Sequence, residues 1–285
     1  LRPGQTTQTL EVDGRTRSYI VHVPASYDPK KPTAVVLAIH GGGSNAEQMV
    51  GFTGLNGTSN KEGFLVVYPN GTRRTENYLT FNGGDCCGFA QRQKIDDVKF
   101  VAAILDQMED IANVDPYRIY ATGMSNGALL AYRLASELSD RIAAIAPVAG
   151  PMGTATCNPK RPVPVIHFHG TKDHFAPYEG GVGKRSLSRT NFRSVQFGID
   201  AWVEANGCSK KPKEIRLADK AADGMRAVQK TYGPGMDGAE VILVTIEGGG
   251  HTWPGRVPKL AFFGPSTLDI SANEMMWDFF KRHAR

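Results

Sequence analysis

The sequence lacks a membrane-spanning segment, a metal-binding pattern and a nucleic-acid-binding pattern. Its longest apolar runs, at 34–39 and 142–149, are far shorter than the roughly 20 residues that span a bilayer. None of the four cysteines forms a C-x-x-C pair, so we expect no zinc or other metal, and no cofactor. Basic and aromatic residues are not interleaved as in nucleic-acid-binding proteins. We therefore expect neither nucleic acid nor a membrane as a partner.

The composition of the chain is that of an ordinary globular protein. It has 285 residues, of which 41% are hydrophobic and 21% charged, with a net charge of +5. This length suits one large α/β domain or two small ones. No linker, repeat or low-complexity segment divides the chain, so we predict a single domain over residues 1–285.

Strand-like and helix-like segments alternate along the chain, which predicts an α/β fold with a mainly parallel central sheet flanked by helices. The polar, Gly-rich segment 209–237 predicts a surface hairpin and loops. Apolar and β-branched runs predict strands at 17–24 (an edge strand), 34–40, 64–68, 118–122, 143–149, 163–169 and 241–246. Apolar residues at helical spacing predict helices at 96–111, 126–139, 193–206 and 271–282.

A candidate nucleophile, Ser125, lies in Gly-Met-Ser-Asn-Gly at 123–127, which matches G-x-S-x-G. The pattern alone is weak, but here a predicted strand enters it and a predicted helix leaves it. Such a turn projects the serine hydroxyl above the sheet, where a base can remove its proton. The alternative interpretation is an ordinary serine cap on the helix.

Two later loops supply a candidate acid and a candidate base. Asp173 follows the predicted strand 163–169, and His251 follows strand 241–246 across three glycines. The order Ser, acid, His is that of serine hydrolases with this turn. We expect His251 to act as the base and Asp173 to orient it. Asp200 and Asp269 are rival acids, whereas we expect His40, His167 and His169 to be structural.

The glycine turn at 40–44 (HGGGS) predicts an oxyanion hole. Preorganised backbone N–H groups stabilise the charge that develops on an ester carbonyl oxygen. We expect the N–H groups of Asn126 and Gly42 to be the two donors, with Gly43 as the alternative to Gly42. A phosphate-binding loop is the competing interpretation, but the chain has no complete phosphate-loop motif.

Aromatic residues near these loops are candidate substrate contacts. Trp253 follows the candidate base, and Phe81 and Phe175 lie on loops at the same edge of the sheet. They could stack on an aromatic or acyl group, or simply pack the loops. The apolar segment 257–265 could cover the site or dock to a polymer.

The chain contains blocks such as HGGGSNAEQM, DCCG, RPVPVIHFHGTKD and IEGGGHTWPG. Together these blocks resemble the secreted poly(3-hydroxybutyrate) depolymerase and feruloyl esterase family, in particular its LpqC-type single-domain esterases. The resemblance implies an α/β-hydrolase fold, secretion or export to the periplasm, and Ser125, Asp173 and His251 as a catalytic triad. It also implies small-molecule or polymeric ester substrates, either feruloylated plant polysaccharide or short polyester oligomers. The blocks are HGGGSNAEQM, YPNGT, DCCG, DDVKFVAAILD, VDPYRIYATGMSNGALLAYRLA, IAAIAPVAGPM, RPVPVIHFHGTKD and IEGGGHTWPG.

The chain departs from that family at two places. Phe81 stands where members often carry tryptophan, and the segment 232–236 lacks a cysteine that would pair with Cys208. Cys86 and Cys87 could pair with each other, or one of them with Cys157. Four cysteines permit disulfides and an oxidising compartment, consistent with a secreted or periplasmic protein. We expect a monomer or a weak oligomer.

Other functions remain as alternatives. A general short-chain or acetyl-xylan-type esterase would use the same catalytic groups. A peptidase or acyltransferase could use the same triad on other substrates. A non-catalytic binding protein on this scaffold would be expected to have lost part of the triad.

Overall fold

The computed structural model describes residues 1–73, 78–186, 188–258 and 260–285. One sheet contains ten strands, in the spatial order β1-β2-β4-β3-β5-β6-β7-β10-β9-β8. Along the chain these strands are β1 (Gly4–Val12), β2 (Arg15–Val23), β3 (Thr33–Ile39), β4 (Leu65–Pro69), β5 (Val114–Met124), β6 (Ala144–Val148), β7 (Val165–Gly170), β8 (Lys213–Arg216), β9 (Arg226–Tyr232) and β10 (Val241–Glu247).

The six central strands, β4, β3, β5, β6, β7 and β10, are parallel to one another. β3 and β4 are buried at every position, as strands covered on both faces must be. The flanking strands pair in the antiparallel sense, β1 with β2 on one side and β9 with β8 on the other. The predicted mainly parallel central sheet is therefore confirmed.

Helices cover both faces of the sheet. Those on one face are α4 (Asp97–Ile111), α5 (Asn126–Glu137) and α6 (Val195–Ala205). Those on the other are α1 (Ala46–Thr53), α2 (Leu55–Glu62) and α7 (Ala272–Phe280), while the short α3 (Gly88–Arg92) lies in a loop. Across the described ranges, no helix is long and apolar enough to cross a membrane.

The outer strands differ from the sequence-based prediction. β1 is an additional strand, and it displaces β2 from the edge of the sheet. Its alternation is weak because most of its side chains are exposed. The 209–237 hairpin exists, but its strand β9 pairs with β10 and so extends the central sheet. Such edge strands consist mostly of polar residues, so a prediction based on apolar periodicity does not detect them.

The parallel strands bring four loops to one edge of the sheet. The carboxyl ends of β3, β5, β7 and β10 all point toward that edge, because these strands run in the same direction. The glycine turn, Ser125, Asp173 and His251 follow these four strands in that order along the chain. In open α/β sheets, sites form at this edge.

Candidate active site

Ser125 occupies the tight turn between β5 and α5, with φ 55° and ψ −116°. This positive φ is strained for a residue with a side chain, and such strain is typical of functional sites. The Ser125 N–H donates to the carbonyl of Val148 at 2.9 Å. Its side chain makes no capping hydrogen bond to α5, so the interpretation of Ser125 as an ordinary helix cap finds no support.

Three glycines make room for this turn. A Cβ at Gly123 would lie 2.5 Å from the backbone of Gly127. A Cβ at Gly127 would overlap the carbonyl oxygen of Ile39, and one at Gly150 would overlap that of Ser125. The backbone can therefore approach this closely only because all three positions lack a side chain. Gly150 follows β6 and was not singled out from the sequence.

Asp173 and His251 are in contact. The Nδ1 atom of His251 lies 2.7 Å from Oδ2 of Asp173, and both side chains are buried. The other carboxylate oxygen, Oδ1, accepts hydrogen bonds from the backbone N–H groups of Phe175 and Ala176 at 2.8 and 2.9 Å. The turn after β7 therefore holds the carboxylate with one oxygen directed at His251.

The surroundings of Asp173 favour its ionised form. Burial alone would raise the pKa of Asp173. The electrostatic interaction with His251 and the hydrogen bonds from His169 and His251 outweigh that effect and hold the pKa of Asp173 well below its ordinary value. An ionised carboxylate at this position fixes a proton on Nδ1 of His251 and leaves Nε2 free to accept one.

The glycine turn after β3 packs directly on the Ser125 turn. A Cβ at Gly41 would lie 3.5 Å from Cβ of Ser125, and one at Gly42 would lie 3.6 Å from Cβ of Asn126. Within the described residues, the backbone N–H groups of Gly42 and Asn126 have no acceptor. The N–H of Gly43 donates to the carbonyl of Leu79 at 2.9 Å, so Gly43 is not available as the alternative donor.

The side chain of Asn126 fixes the loop that borders this turn. Its Oδ1 accepts from the N–H of Phe81 at 2.8 Å, and its Nδ2 donates to the carbonyl of Phe81 at 2.9 Å. Two opposed hydrogen bonds of this kind hold the first residue of α5, and hence its backbone N–H, against a second chain segment. The sequence reasoning used only the backbone of Asn126, because this long-range contact leaves no local pattern.

Two of the three predicted aromatic substrate contacts are wrong. The ring of Phe81 is 0% exposed and packs against the ring of His40, with centroids 4.6 Å apart. Trp253 is 1% exposed, and its Nε1 donates to Asn273 at 2.8 Å. Both side chains point into the protein and anchor loops, a direction that sequence position alone does not reveal. Neither ring offers a face to a substrate.

The third aromatic residue, Phe175, does lie at the site. Its ring stacks on the imidazole of His251, with centroids 4.8 Å apart and an interplanar angle of 28°. Phe262 meets Phe175 edge-on at 5.0 Å, and Phe263 lies 5.5 Å from it. Phe262 is exposed, as are Val257 and Leu260 in the same segment. We call the exposed residues Val257, Leu260 and Phe262 the apolar rim.

The rival acids have other partners. Asp200 is exposed on α6 and accepts a hydrogen bond from Gln196. Asp269 accepts hydrogen bonds from the backbone N–H groups of Lys220 and Ala221 at 2.7 and 2.8 Å, and so fixes a loop.

His40 is buried, with Nδ1 2.7 Å from the carbonyl of Gly41 and Nε2 accepting from the N–H of Gly71 at 3.0 Å. It is therefore a structural histidine, as is the buried His167, whereas Nε2 of the buried His169 lies 3.4 Å from Oδ2 of Asp173.

The cysteines form one disulfide, between Cys86 and Cys87. Cys157 and Cys208 are free, and burial raises the pKa of Cys157 to about 12. A Cβ at Gly235 would lie 2.8 Å from Sγ of Cys208, so a glycine stands beside the sulfur whose partner is missing. Among the residues that the structure describes, no group of three or more His, Cys, Asp or Glu is placed to hold a metal ion.

Comparisons with a family model and with individual known proteins both point to esterases. The family model described as esterase PHB depolymerase matches residues 17–192. NocK of Nocardia uniformis subsp. tsuyamanensis, a protein named as an esterase, is 31% identical over 96% of this chain and 82% of its own length. Feruloyl esterase D of Neurospora crassa is 27% identical over 99% of this chain and 87% of its own length. Two other relatives are longer proteins, and the chain spans 33% and 42% of them.

A solved structure shows the same fold. The acetyl xylan esterase from Aspergillus awamori superposes with a TM-score of 0.63 and 15% sequence identity, covering 96% of this chain and 99% of that one. This confirms the α/β-hydrolase arrangement of sheet and helices described above. With the strained serine turn, the buried Asp173–His251 pair and the family match over residues 17–192, the chain belongs to the esterase PHB depolymerase family.

Proposed function

We propose that this carboxylic ester hydrolase works through an acyl-enzyme, with Ser125 as nucleophile, His251 as general base and Asp173 as the orienting carboxylate. The observation that carries this assignment is the 2.7 Å hydrogen bond between His251 and Asp173. It lies at the sheet edge where the strained turn presents Ser125. Serine hydrolases on unrelated folds share these three roles.

The reaction proceeds in two acyl transfers. Nε2 of His251 takes the proton of the Ser125 hydroxyl while the oxygen attacks the ester carbonyl. The tetrahedral intermediate collapses, the alcohol leaves with the proton from His251, and an acyl-enzyme remains. Water then repeats the sequence: it gives a proton to His251, attacks the acyl-enzyme, and releases the acid and Ser125. Asp173 stabilises the imidazolium that forms in both steps.

The backbone N–H groups of Gly42 and Asn126 are the proposed oxyanion donors. Neither has an acceptor within the described residues, and the two residues pack on each other: a Cβ at Gly42 would lie 3.6 Å from Cβ of Asn126. An oxyanion hole of two such donors stabilises the transition state by several kcal/mol, with about 3 kcal/mol typical for one donor.

The preferred substrates in this proposal are feruloyl or related aryl esters of plant polysaccharide. A relative that matches nearly the whole chain is named feruloyl esterase D. Phe175 and the exposed Phe262 provide aromatic surface beside His251, and aromatic rings stack on such surface.

Short polyester oligomers are the second candidate, and the apolar rim favours them. Val257, Leu260 and Phe262 are all exposed, and Phe262 contacts Phe175, the residue that stacks on His251. A polyester chain is apolar on both sides of the scissile bond, so such a rim would be in contact with it. The family description also names PHB depolymerase.

The chain is proposed to form a single catalytic domain that acts as a monomer or a weak oligomer in the periplasm or outside the cell. One sheet contains strands from residue 4 to residue 247, which supports the single domain. The Cys86–Cys87 disulfide supports an oxidising compartment. Fractionation of cells that express the native gene tests the location of the protein. Size-exclusion chromatography tests its oligomeric state.

The Ser125→Ala variant tests the mechanism. We expect it to lose turnover of p-nitrophenyl acetate by at least about 10⁴-fold, because no other group can form the acyl-enzyme. Ser136→Ala is the matched control: Ser136 lies on α5, outside both the proposed triad and the glycine turn, and this variant should stay active. Both proteins should unfold at the wild-type temperature. Substantial turnover by a folded Ser125→Ala protein would sink the assignment.

A substrate panel separates the candidate substrates. We expect methyl ferulate and feruloylated arabinose to give the highest kcat/KM, ahead of acetylated xylan and of hydroxybutyrate oligomers. Phe262→Ser should weaken turnover of the oligomers more than that of p-nitrophenyl acetate, if the apolar rim contacts a polyester. Hydrolysis of an amide analogue at a similar rate would instead indicate a peptidase.

A further inference from the structure

A series of buried hydrogen bonds leads from α5 through β7 to a second imidazole beside Asp173. Tyr132 on α5 lies 2.9 Å from Nδ1 of His167 on β7. Nε2 of His167 lies 3.0 Å from Nδ1 of His169, two residues further along the same strand. Nε2 of His169 lies 2.8 Å from the carbonyl oxygen of Ala176 and 3.4 Å from Oδ2 of Asp173. The ester hydrolysis described above makes no use of these three side chains.

When both imidazoles are neutral, the hydrogen bonds from Tyr132 through His167 to His169 can donate in only one direction. The carbonyl of Ala176 only accepts, so Nε2 of His169 carries a proton and its Nδ1 has a lone pair. His167 must then donate from Nε2 and accept at Nδ1, and Tyr132 must donate its hydroxyl proton. Burial raises the pKa of Tyr132 and, together with neighbouring His169, holds that of His167 well below its ordinary value. Both groups therefore keep the protonation states that this direction requires.

We propose that His169 is a positioning residue for Asp173: held as the Nε2–H tautomer by His167 and Tyr132, it gives the catalytic carboxylate a second imidazole donor. This inference rests on the proposed roles of Ser125, Asp173 and His251. Nε2 of His169 hydrogen-bonds to the carbonyl of Ala176 and lies 3.4 Å from Oδ2, the oxygen that holds His251, while the two backbone N–H groups hold Oδ1. Both oxygens of the carboxylate thus have N–H groups beside them, one from each imidazole at Oδ2 and two from the backbone at Oδ1.

This series of hydrogen bonds also connects the elements that carry the reacting groups. Tyr132 lies on α5, the helix that begins immediately after Ser125, and Asp173 lies in the turn that leaves β7. His167 and His169 face the same side of β7, toward α5, because side chains two residues apart share a face. If His167 were lost, the lone pair of His169 would be buried without a donor. The opposite tautomer would then direct a lone pair at Ala176 and Asp173.

The test compares two substitutions of His169. His169→Leu removes the donor, whereas His169→Gln returns an amide N–H near the position of Nε2. We expect His169→Leu to lower kcat at least about tenfold with KM within about twofold, a loss at the low end of those seen when a supporting partner is removed. His169→Gln should recover most of kcat. Equal losses in the two variants, or an unchanged kcat in a folded Leu variant, would overturn the proposal.

Testing His169→Leu in a protein that already lacks the Asp173 carboxylate separates a positioning role of His169 from a general loosening of the fold. In an Asp173→Ala protein, His169→Leu should change the residual kcat by less than about twofold, since the carboxylate on which it acts is gone. A further loss of tenfold there would show that His169 acts through the fold and would contradict the proposal. His22→Leu is the matched control: His22 is a buried histidine on β2 hydrogen-bonded to Asn60. It should lower the unfolding temperature and leave kcat unchanged.

Tyr132→Phe tests the far end of the chain with the removal of one oxygen. We expect a loss in kcat of about threefold, smaller than that of His169→Leu, because only the tautomer preference is weakened. An unchanged kcat would remove Tyr132 from the proposal. Failure of the triad itself has a different signature: Ser125→Ala and Asp173→Ala would then retain turnover, whatever the His169 variants do.

Discussion

His40 lies under the glycine turn, and its environment admits only the neutral imidazole. Burial lowers the pKa of His40 to about 4, against the backbone bond to Gly41 and with a further contribution from Arg17. The reason is local: Nε2 accepts the N–H of Gly71, and a proton on Nε2 would meet that N–H head-on. Protonation of His40 therefore breaks a bond that holds the oxyanion turn to the 70–72 loop.

His40 predicts a loss of stability in mild acid. Its folded-state pKa lies below the unfolded value of about 6.5, so the unfolded chain takes up the proton first. The free energy of unfolding should fall as the pH drops from about 6.5 to about 4, by up to about 3 kcal/mol from this group. Urea unfolding at several pH values measures this slope, and His40→Asn should flatten it. An identical slope in the variant would show that other groups cause it.

At the residue scale, the sequence predicted positions well and side-chain directions poorly. Ser125, Asp173 and His251 follow strands, and a parallel sheet brings the ends of its strands together whatever the packing. Phe81 and Trp253 lie on loops of the same edge, but nothing in their spacing tells which way a ring points. The contact between Asn126 and Phe81, like that between His169 and Asp173, depends on tertiary packing between distant segments.

The turn from β5 into α5 is the element with the tightest packing in the site. Its glycines face carbonyl oxygens rather than flexible side chains, so a new methyl group has nowhere to go. The strained φ of Ser125 persists because these close contacts and the Val148 hydrogen bond determine the path of the chain.

Gly127→Ala should disrupt this element. The added Cβ would overlap the carbonyls of Ile39 and His40, so we expect a loss of about 3 kcal/mol in unfolding free energy and most of the esterase activity. Gly57→Ala on α2 is the control, because a Cβ there meets nothing within 4 Å. It should stabilise the protein by about 0.5 to 1 kcal/mol. Denaturant unfolding with parallel assays of ester hydrolysis compares the two, and equal stability of both variants would contradict this account.

Element prediction succeeded where burial imposes a pattern on the sequence. β3 and β4 are covered on both faces and appear as continuous apolar runs. β8 is exposed at all four positions, so burial imposes no apolar pattern on its sequence. α1 and α2 were not predicted because their short lengths allow too few apolar repeats to be recognised.

The molecule as a whole depends on α7 to close one face of the sheet. Phe280 stacks on Tyr120 of β5 at 4.5 Å, and Trp277 stacks on Phe64 at 4.2 Å. The indole N–H of Trp277 donates to Glu62 at the end of α2. The helix nearest the end of the chain thus packs on the central strand that leads to Ser125.

Phe280→Ala should therefore destabilise the whole protein. The ring is fully buried, and its removal should cost about 3 to 5 kcal/mol in unfolding free energy. Phe197→Ala on α6 removes a ring that is 38% exposed and should change stability much less, by about 1 kcal/mol. Chemical denaturation of the two variants measures the difference. Similar losses in both would show that α7 is not the closing element described here.

The overall architecture could be predicted because alternating strands and helices leave few other arrangements. The number of strands could not, since the hairpins at both ends of the sheet are polar. The blocks of similar sequence include the central strands β5, β6 and β7, the helices α4 and α5, and the loops that carry the glycine turn, Asp173 and His251.

The apolar rim has a consequence for how this protein can change over generations. Val257, Leu260 and Phe262 are exposed, and none of them belongs to the buried core of the sheet. On the proposed role of the rim, substitutions there should alter which esters are admitted at a small cost in folding. Substrate range and structural integrity would then be inherited as nearly separate traits. Random libraries confined to the rim should accordingly yield a high fraction of folded enzymes with divergent ester preferences.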